Sequence, residues 1–205
     1  GCIRCDASIG LDLLAAWAAN KGWSGLEFAS GIPGTLGGAV AGNAGAFGRC
    51  MADVVRHVVC LNITSGDIQT LSPQEIHPTY RNTEIKTNHH LVVISCMLNT
   101  SPANRQQLLA ERDRILQIRR EKHPDLQRFP CAGSTFKNLN SFDETGHRMA
   151  SGPLLEAVGA KKMRIGDAGV FEKHANMVVS LSPNCRASDI RLLMRQMKDA
   201  VWDRF

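Results

Sequence analysis

The chain has 205 residues, 43% hydrophobic and 21% charged, with a formal net charge of +5. That is enough for one large domain or two small ones of ordinary water-soluble composition. Its lysines and arginines are scattered among acidic residues with no basic block and little aromatic interleaving, which argues against nucleic-acid binding. No apolar run approaches the roughly 20 residues of a membrane span, which argues against membrane insertion.

Leu11, Leu14, Ala15 and Ala18 recur at three and four residues and Gly22 follows, so the spacing predicts a helix that ends there. Apolar, β-branched runs at 54–63 and 91–98 predict sheet, with a hairpin at Gly66 and a short strand near Ile68. Between Ser101 and Arg120, apolar residues spaced through charge predict a long amphipathic helix, with Ser101 and Pro102 as its N-cap and first residue. Pro124 and Pro130 bracket a loop, and a linker is expected near 121–130. The last third predicts a short helix near 154–158, a glycine turn at 166–169, a strand at 177–181 and a closing helix from Ser188. Helices and strands come in groups without regular alternation, which favours the α+β class.

The seven cysteines, at 2, 5, 50, 60, 96, 131 and 185, are odd in number and lack the paired spacings of a secreted scaffold. Reduced thiols in a cytoplasm are therefore expected. Cys2 and Cys5 form a lone C-x-x-C with no second pair at zinc-ligand distance. Its place at a chain end predicts fraying, and no metal site is assigned.

Seven of the eighteen glycines fall in one stretch, GIPGTLGGAVAGNAGAFG, from Gly31 to Gly48. Glycine at that density is tolerated where the chain turns with positive φ or approaches a ligand closely. The surface left by interleaved glycine and alanine suits a flat cofactor or a phosphate, with a tightly packed turn without a ligand as the alternative. No G-K-[ST] closes the stretch and it does not follow a strand as G-x-G-x-x-G, so neither a P-loop nor a Rossmann unit is indicated. The remaining phosphate-and-flavin option, beside a packed turn without a ligand, is a different FAD-binding architecture, in which a loop between strands presents amides to the cofactor.

Gly25-Leu26-Glu27-Phe28 followed by GIPGTLGGAV and GNAGAFG closely resembles the central FAD-binding segment of the UDP-N-acetylenolpyruvoylglucosamine reductase family. Tyr80-Arg81, the run from Gly133 to Asn138 (GSTFKN) and the run from Glu172 to Asn176 (EKHAN) are similar to three further family motifs, in order and at suitable spacing. Arg119 to Pro124 resembles an Arg-x-x-x-Gln-Pro element, with His123 in place of glutamine. The only tyrosine is Tyr80, so the chain resembles the subclass that lacks a tyrosine-bearing loop over the substrate.

The resemblance implies an FAD-binding domain of the PCMH/MurB type over 1–122 and a smaller α+β substrate domain over 123–205. It implies a cytoplasmic monomer that takes FAD as cofactor, NADPH as hydride donor and a nucleotide-sugar as substrate. Gly31, Ile32, Pro33, Gly34, Thr35, Gly37, Gly38, Asn43 and Gly45 would line the FAD. Arg81 would stabilise developing negative charge and Ser134 would donate a proton, while Tyr80, Lys137, Asn138, His174 and Asn176 would hold the substrate. His174 and Asn176 read equally well as packing residues ahead of a strand.

Two family features fall outside residues 1–205: a smaller lobe with a GGGSN-like phosphate loop, and a catalytic carboxylate in a segment resembling GvxLexE. Glu156, Glu172 and Asp203 do not occupy the carboxylate's position and are not assigned its role. Leu139 stands where proline usually follows Lys-Asn, a change expected to loosen the loop that aims Ser134. Another FAD-linked oxidoreductase of this architecture, or a truncated binding remnant, are the alternative readings.

Overall fold

The computed structural model describes residues 1–144, 146 and 148–205. They divide into two compact units, Gly1–Arg119 and Arg120–Phe205.

The first unit opens with β1 (Cys2–Asp6), α1 (Leu11–Asn20), β2 (Trp23–Ser24) and α2 (Leu36–Ala41). A small hairpin, β3 (Gly45–Ala46) and β4 (Arg49–Cys50), leads to β5 (Val55–Asn62), β6 (Ile68–Leu71), α3 (Glu84–Thr87) and β7 (Leu91–Asn99). β8 (Ser101–Pro102) and α4 (Arg105–Lys122) follow. The main sheet is antiparallel in the order β1-β7-β5-β6. Leu11, Leu14, Ala15 and Ala18 of α1 are all buried, as their spacing predicts, together with Leu36 and Val40 of α2 and Val58, Cys96 and Leu98 of the sheet.

Two expectations need correction here. The Cys2-x-x-Cys5 segment does not fray: it is β1, paired residue for residue with β7, Cys5 opposite Cys96. A strand puts residues three apart on opposite faces, so Cys2 is exposed while Cys5 is buried. Burial raises the Cys5 thiol and pushes Cys60 up to about 11 and Cys96 up to about 12, so these cysteines pack as protonated core residues. No cluster of potential metal ligands occurs among the described residues.

The second correction concerns α4. Ser101 and Pro102 form β8, paired with Trp23 and Ser24, and do not cap a helix. The cap is Asn104, whose Oδ1 accepts from the amides of Gln106 (2.9 Å) and Gln107 (3.2 Å). Ser-Pro matched the start signal, but pairing with β2 satisfies that backbone instead. α4 buries Leu108 and Ile115 and is otherwise held by arginines. Arg112 forks onto both carboxylate oxygens of Asp12 at 2.6 and 3.1 Å. Those bonds hold the Asp12 carboxyl below its ordinary range.

In the second unit α5 (Ser151–Ala157) is followed by β9 (Arg164–Ile165), β10 (Ala168–Val170), β11 (Val178–Ser180) and α6 (Ala187–Arg204). The three strands form an antiparallel sheet in the order β11-β10-β9. Leu193 and Met197, one turn apart on α6, are fully buried with Leu155, Ala168 and Val178. Phe171, Met177 and Val179 form a second small cluster with Phe129 and Cys131. No described helix is long and apolar enough to cross a membrane.

Candidate functional site

The glycine-rich stretch is not one loop between strands, as its composition suggests. It is a loop (31–35), the two-turn helix α2, a second loop and the β3–β4 hairpin. Its glycines divide by what surrounds them. At Gly31 a Cβ would lie 2.7 Å from the Arg119 Cδ and 2.9 Å from Leu116, at Gly37 2.9 Å from the Ala7 Cβ, and at Gly45 2.7 Å from the Arg49 carbonyl. These three are small because the protein itself fills the space. Gly34 differs: φ is +109° and a Cβ there would meet nothing within 4 Å.

Many of the stretch's amides are spent inside the fold. Gly31 donates to Asp12, Ile32 to Ala29, Gly37 to Ala7 and Gly38 to the Thr35 hydroxyl. Leu11 donates to the Gly34 carbonyl and Leu36 to the Ile9 carbonyl, forming an antiparallel bridge between Gly10 and Thr35 that does not use Thr35's own amide. Between Gly31 and Gly38 the exposed residues are Pro33, Gly34, Thr35 and Gly38, small and uncharged. Such an edge fits the approach of a flat cofactor.

Arg119 braces this loop. Its Nε donates to the Ser30 carbonyl at 2.7 Å and its guanidinium lies 5.7 Å over the Phe47 ring. The Ser30 hydroxyl beside it is buried and makes no hydrogen bond.

Tyr80 and Arg81 are the tip of a tight turn. Thr79 and Asn82 exchange backbone hydrogen bonds of 2.9 and 3.2 Å across its base. Arg81 has φ +58°, the left-handed region that a side chain disfavours, and its guanidinium sits 5.8 Å over the Tyr80 ring. Two side chains tie the turn to the glycine-rich stretch. Buried Asn43 donates to the Thr79 carbonyl at 3.0 Å while its Oδ1 accepts from the Ala52 amide, and buried Thr83 donates to the Ala41 carbonyl at 2.7 Å. The turn thus sits at the C-terminal end of α2, and the Gly31–Thr35 loop at its N-terminal end, roughly 9 Å away by helical rise.

In the second unit a different group assembles. Ser134 and Lys137 are exposed and Asn138 is half-buried, on a loop entered through Gly133 at φ +83°. The loop is held from the EKHAN segment: Thr135 donates to the Asn176 carbonyl, and the Asn176 side chain bonds both backbone groups of Phe136 at 2.8 Å. His174 accepts the Asn176 amide on Nδ1 at 3.2 Å, which leaves its proton on Nε2. Burial lowers its pKa, so the neutral ring is favoured. The His123 ring meets His174 edge-on with centroids 6.0 Å apart.

Leu139 does not leave the loop's exit unsupported, as loss of the usual proline implied. Its N–H, which proline lacks, donates to the Met149 carbonyl at 3.0 Å. Among residues that organise these groups, Asp12, Thr83 and Ser151 carried no local signal, because each acts through a partner far along the chain. Arg119 was legible only as the first residue of the Arg-x-x-x-Gln-Pro-like element.

Comparison with known proteins bears on both units. Residues 1–72 match the model of the FAD binding domain family, and residues 124–205 match that of the UDP-N-acetylenolpyruvoylglucosamine reductase C-terminal domain. The chain is 39% identical over 206 aligned residues to the UDP-N-acetylenolpyruvoylglucosamine reductase of Synechococcus elongatus, an alignment spanning 100% of this chain and 64% of the relative. It is 37% identical to that of Syntrophus aciditrophicus over 97% of this chain and 60% of the relative. The chain therefore spans less than two thirds of these relatives' length. The crystal structure of the reductase from Thermus caldophilus superimposes with a TM-score of 0.83 at 29% identity, over 96% of this chain and 68% of that one.

Proposed function

We propose, since the chain belongs to the UDP-N-acetylenolpyruvoylglucosamine reductase family, that its protein reduces UDP-N-acetylglucosamine enolpyruvate to UDP-N-acetylmuramate with NADPH, for peptidoglycan precursor synthesis. The observation that carries this reading is the hydrogen-bonded unit made by the glycine-rich stretch and the Tyr80–Arg81 turn through Asn43 and Thr83. A cradle for a flat cofactor and a fixed cation built as one piece is what hydride delivery beside a developing anion requires.

Pro33, Gly34, Thr35 and Gly38 would hold FAD, with Gly31, Ile32, Gly37, Asn43 and Gly45 shaping the surface beneath. FAD, when bound, supplies a hydride carrier that accepts from NADPH and gives to the enolpyruvyl methylene carbon. Arg81 carries the charge that stabilises the enolate-like product of that delivery, and a planar guanidinium suits a carboxylate-conjugated anion. Ser134 donates its hydroxyl proton to the neighbouring carbon, and its alkoxide takes a proton back from solvent. A neutral alcohol is a poor acid, so it serves only a strongly basic acceptor within hydrogen-bond reach, and an enolate carbon is one. Tyr80, Lys137, Asn138 and the Nε2–H of His174 provide a phenol, a cation, an amide and a neutral donor for the nucleotide-sugar's phosphates and hydroxyls. The seven free cysteines support a reducing compartment, the cytoplasm.

The test is direct. Purified protein loaded with FAD should show flavin absorbance, lose it anaerobically to one equivalent of NADPH, and turn over further NADPH only when the enolpyruvyl nucleotide-sugar is added, with one UDP-N-acetylmuramate formed per NADPH. Flavin-loaded protein that NADPH reduces but that forms no UDP-N-acetylmuramate once the enolpyruvyl nucleotide-sugar is added overturns the reading.

A further inference from the structure

The family resemblance groups Asn176 with the substrate contacts; the geometry points to another role. We infer that Asn176, with Ser151 behind it, is a positioning residue that clamps the backbone of the Ser134 loop and so aims the proton donor. This rests on the proposed function for what the aim is worth, while the clamp itself is a property of the chain.

Asn176 is 4% exposed. Its Oδ1 accepts from the Phe136 amide, and its two Nδ2 hydrogens go to the Phe136 carbonyl and the Ser151 hydroxyl, each at 2.8 Å. An amide group meeting both N–H and C=O of one residue imitates a strand pairing, which no other neutral side chain of this length except its own kind can do. The Asn176 carbonyl accepts from Thr135, and the Thr135 hydroxyl accepts from the Val178 amide at 3.2 Å. Two consecutive residues, Thr135 and Phe136, are thereby tied to the end of the strand, and the Phe136 ring packs on the α5–α6 core.

Ser134 and Lys137 flank this fixed pair. The Ser134 side chain is exposed and has no hydrogen bond among the described residues, so its direction is set by the backbone behind it. With both donor hydrogens committed and the group buried, Asn176 has no donor left for a ligand. A change at Asn176 should therefore act on the proton-transfer step, where a small misplacement is costly, and not on the grip on substrate.

The experiment compares the parent with Asn176→Asp and, as the milder variant, Ser151→Ala. Asn176→Asp keeps the acceptor for the Phe136 amide and loses both donors. Without any ligand, amide hydrogen exchange across 133–138 should speed about tenfold or more in Asn176→Asp, the effect of losing a hydrogen bond to a partly buried carbonyl, and by less in Ser151→Ala. In flavin-loaded protein, kcat should fall by about tenfold or more while KM for the nucleotide-sugar stays within about threefold, with flavin reduction by NADPH at the parental rate. Exchange unchanged in both variants overturns the clamp, as does a raised KM at parental kcat, which is the signature of a substrate contact. Should Asn176→Asp fail to fold, Ser151→Ala carries the same comparison. An inactive parent overturns the proposed function instead, and the exchange comparison still decides the clamp.

Discussion

Asn43 donates its side-chain amide to the Thr79 carbonyl at 3.0 Å, joining the glycine-rich stretch to the turn that carries Arg81. The same side chain accepts from Ala52, and the residue itself stands at φ +42°. Asn43→Ala removes both bonds and leaves a less tolerant residue in a left-handed conformation. The Thr79 carbonyl keeps the Asn82 amide, so the group left without its partner is the half-buried Ala52 amide; losing such a bond costs about 1 kcal/mol, so urea unfolding should show a loss of that order or more, and turnover of the folded fraction should fall with it. Unaltered stability would show that the tether contributes nothing.

Arg81 occupies a left-handed conformation that costs a side-chain-bearing residue roughly 1–2 kcal/mol. Strain kept at a site with chemical duty has a recognisable signature in substitution. Arg81→Gly should leave stability unchanged or raise it by up to about 1 kcal/mol, while kcat drops by roughly 10²-fold or more from loss of the cation. Arg81→Lys should lose most of that activity too, because an ammonium lacks the planar fork. Parental turnover in Arg81→Lys would remove the guanidinium from the proposed chemistry.

Gly31 and Gly34 separate packing from binding. Gly31→Ala drives a methyl into Arg119 and Leu116 at φ +73°, so thermal unfolding should shift down by several degrees. Gly34→Ala bears backbone strain without a clash, since nothing lies within 4 Å of the added Cβ. Its main effect should be on FAD affinity, measured by fluorescence titration. Equal FAD affinity in Gly34→Ala and the parent would show that this edge does not face the cofactor.

The glycine-rich stretch shows how much was legible. Its density of glycine announced close approach, but not whether to a ligand or to the protein, and both occur within it: Gly34 faces open space while Gly31, Gly37 and Gly45 face side chains and carbonyls. The α1 pattern and the β5 and β7 runs were legible because each buries a periodic apolar face. β1 was not, because Arg4 and Asp6 leave only Cys5 buried, and pairing with β7 at the far end of the unit decides it. Arg81 and Ser134 could be named from motifs, and Asn43 as part of the glycine-rich stretch, but the tether Asn43 makes and the roles of Thr83 and Ser151 are recognised only by bonds spanning 15 to 42 positions.

His174 gives a pH dependence. Burial keeps its folded pKa below the ordinary imidazole value of about 6.5. In the unfolded chain the ring takes up a proton as pH falls through about 6.5, while the folded ring resists until a lower pH. The neutral ring's contribution is therefore full above that value, and folding stability declines as pH falls below it toward the folded pKa. His174→Gln, an amide with no titration, should flatten the stability profile between about pH 6.5 and the folded value. An identical slope in the two proteins would exclude His174 as its source.

The most direct measurement is anaerobic rapid mixing of flavin-loaded Ser134→Ala with NADPH and then with the enolpyruvyl nucleotide-sugar. If Ser134 is the proton donor, flavin absorbance is lost to NADPH at the parental rate, and formation of UDP-N-acetylmuramate slows by roughly 10²–10⁴-fold, the worth of a positioned general acid. Product formed at the parental rate after mixing would contradict the assignment of Ser134 and, with it, the chemistry proposed for this site.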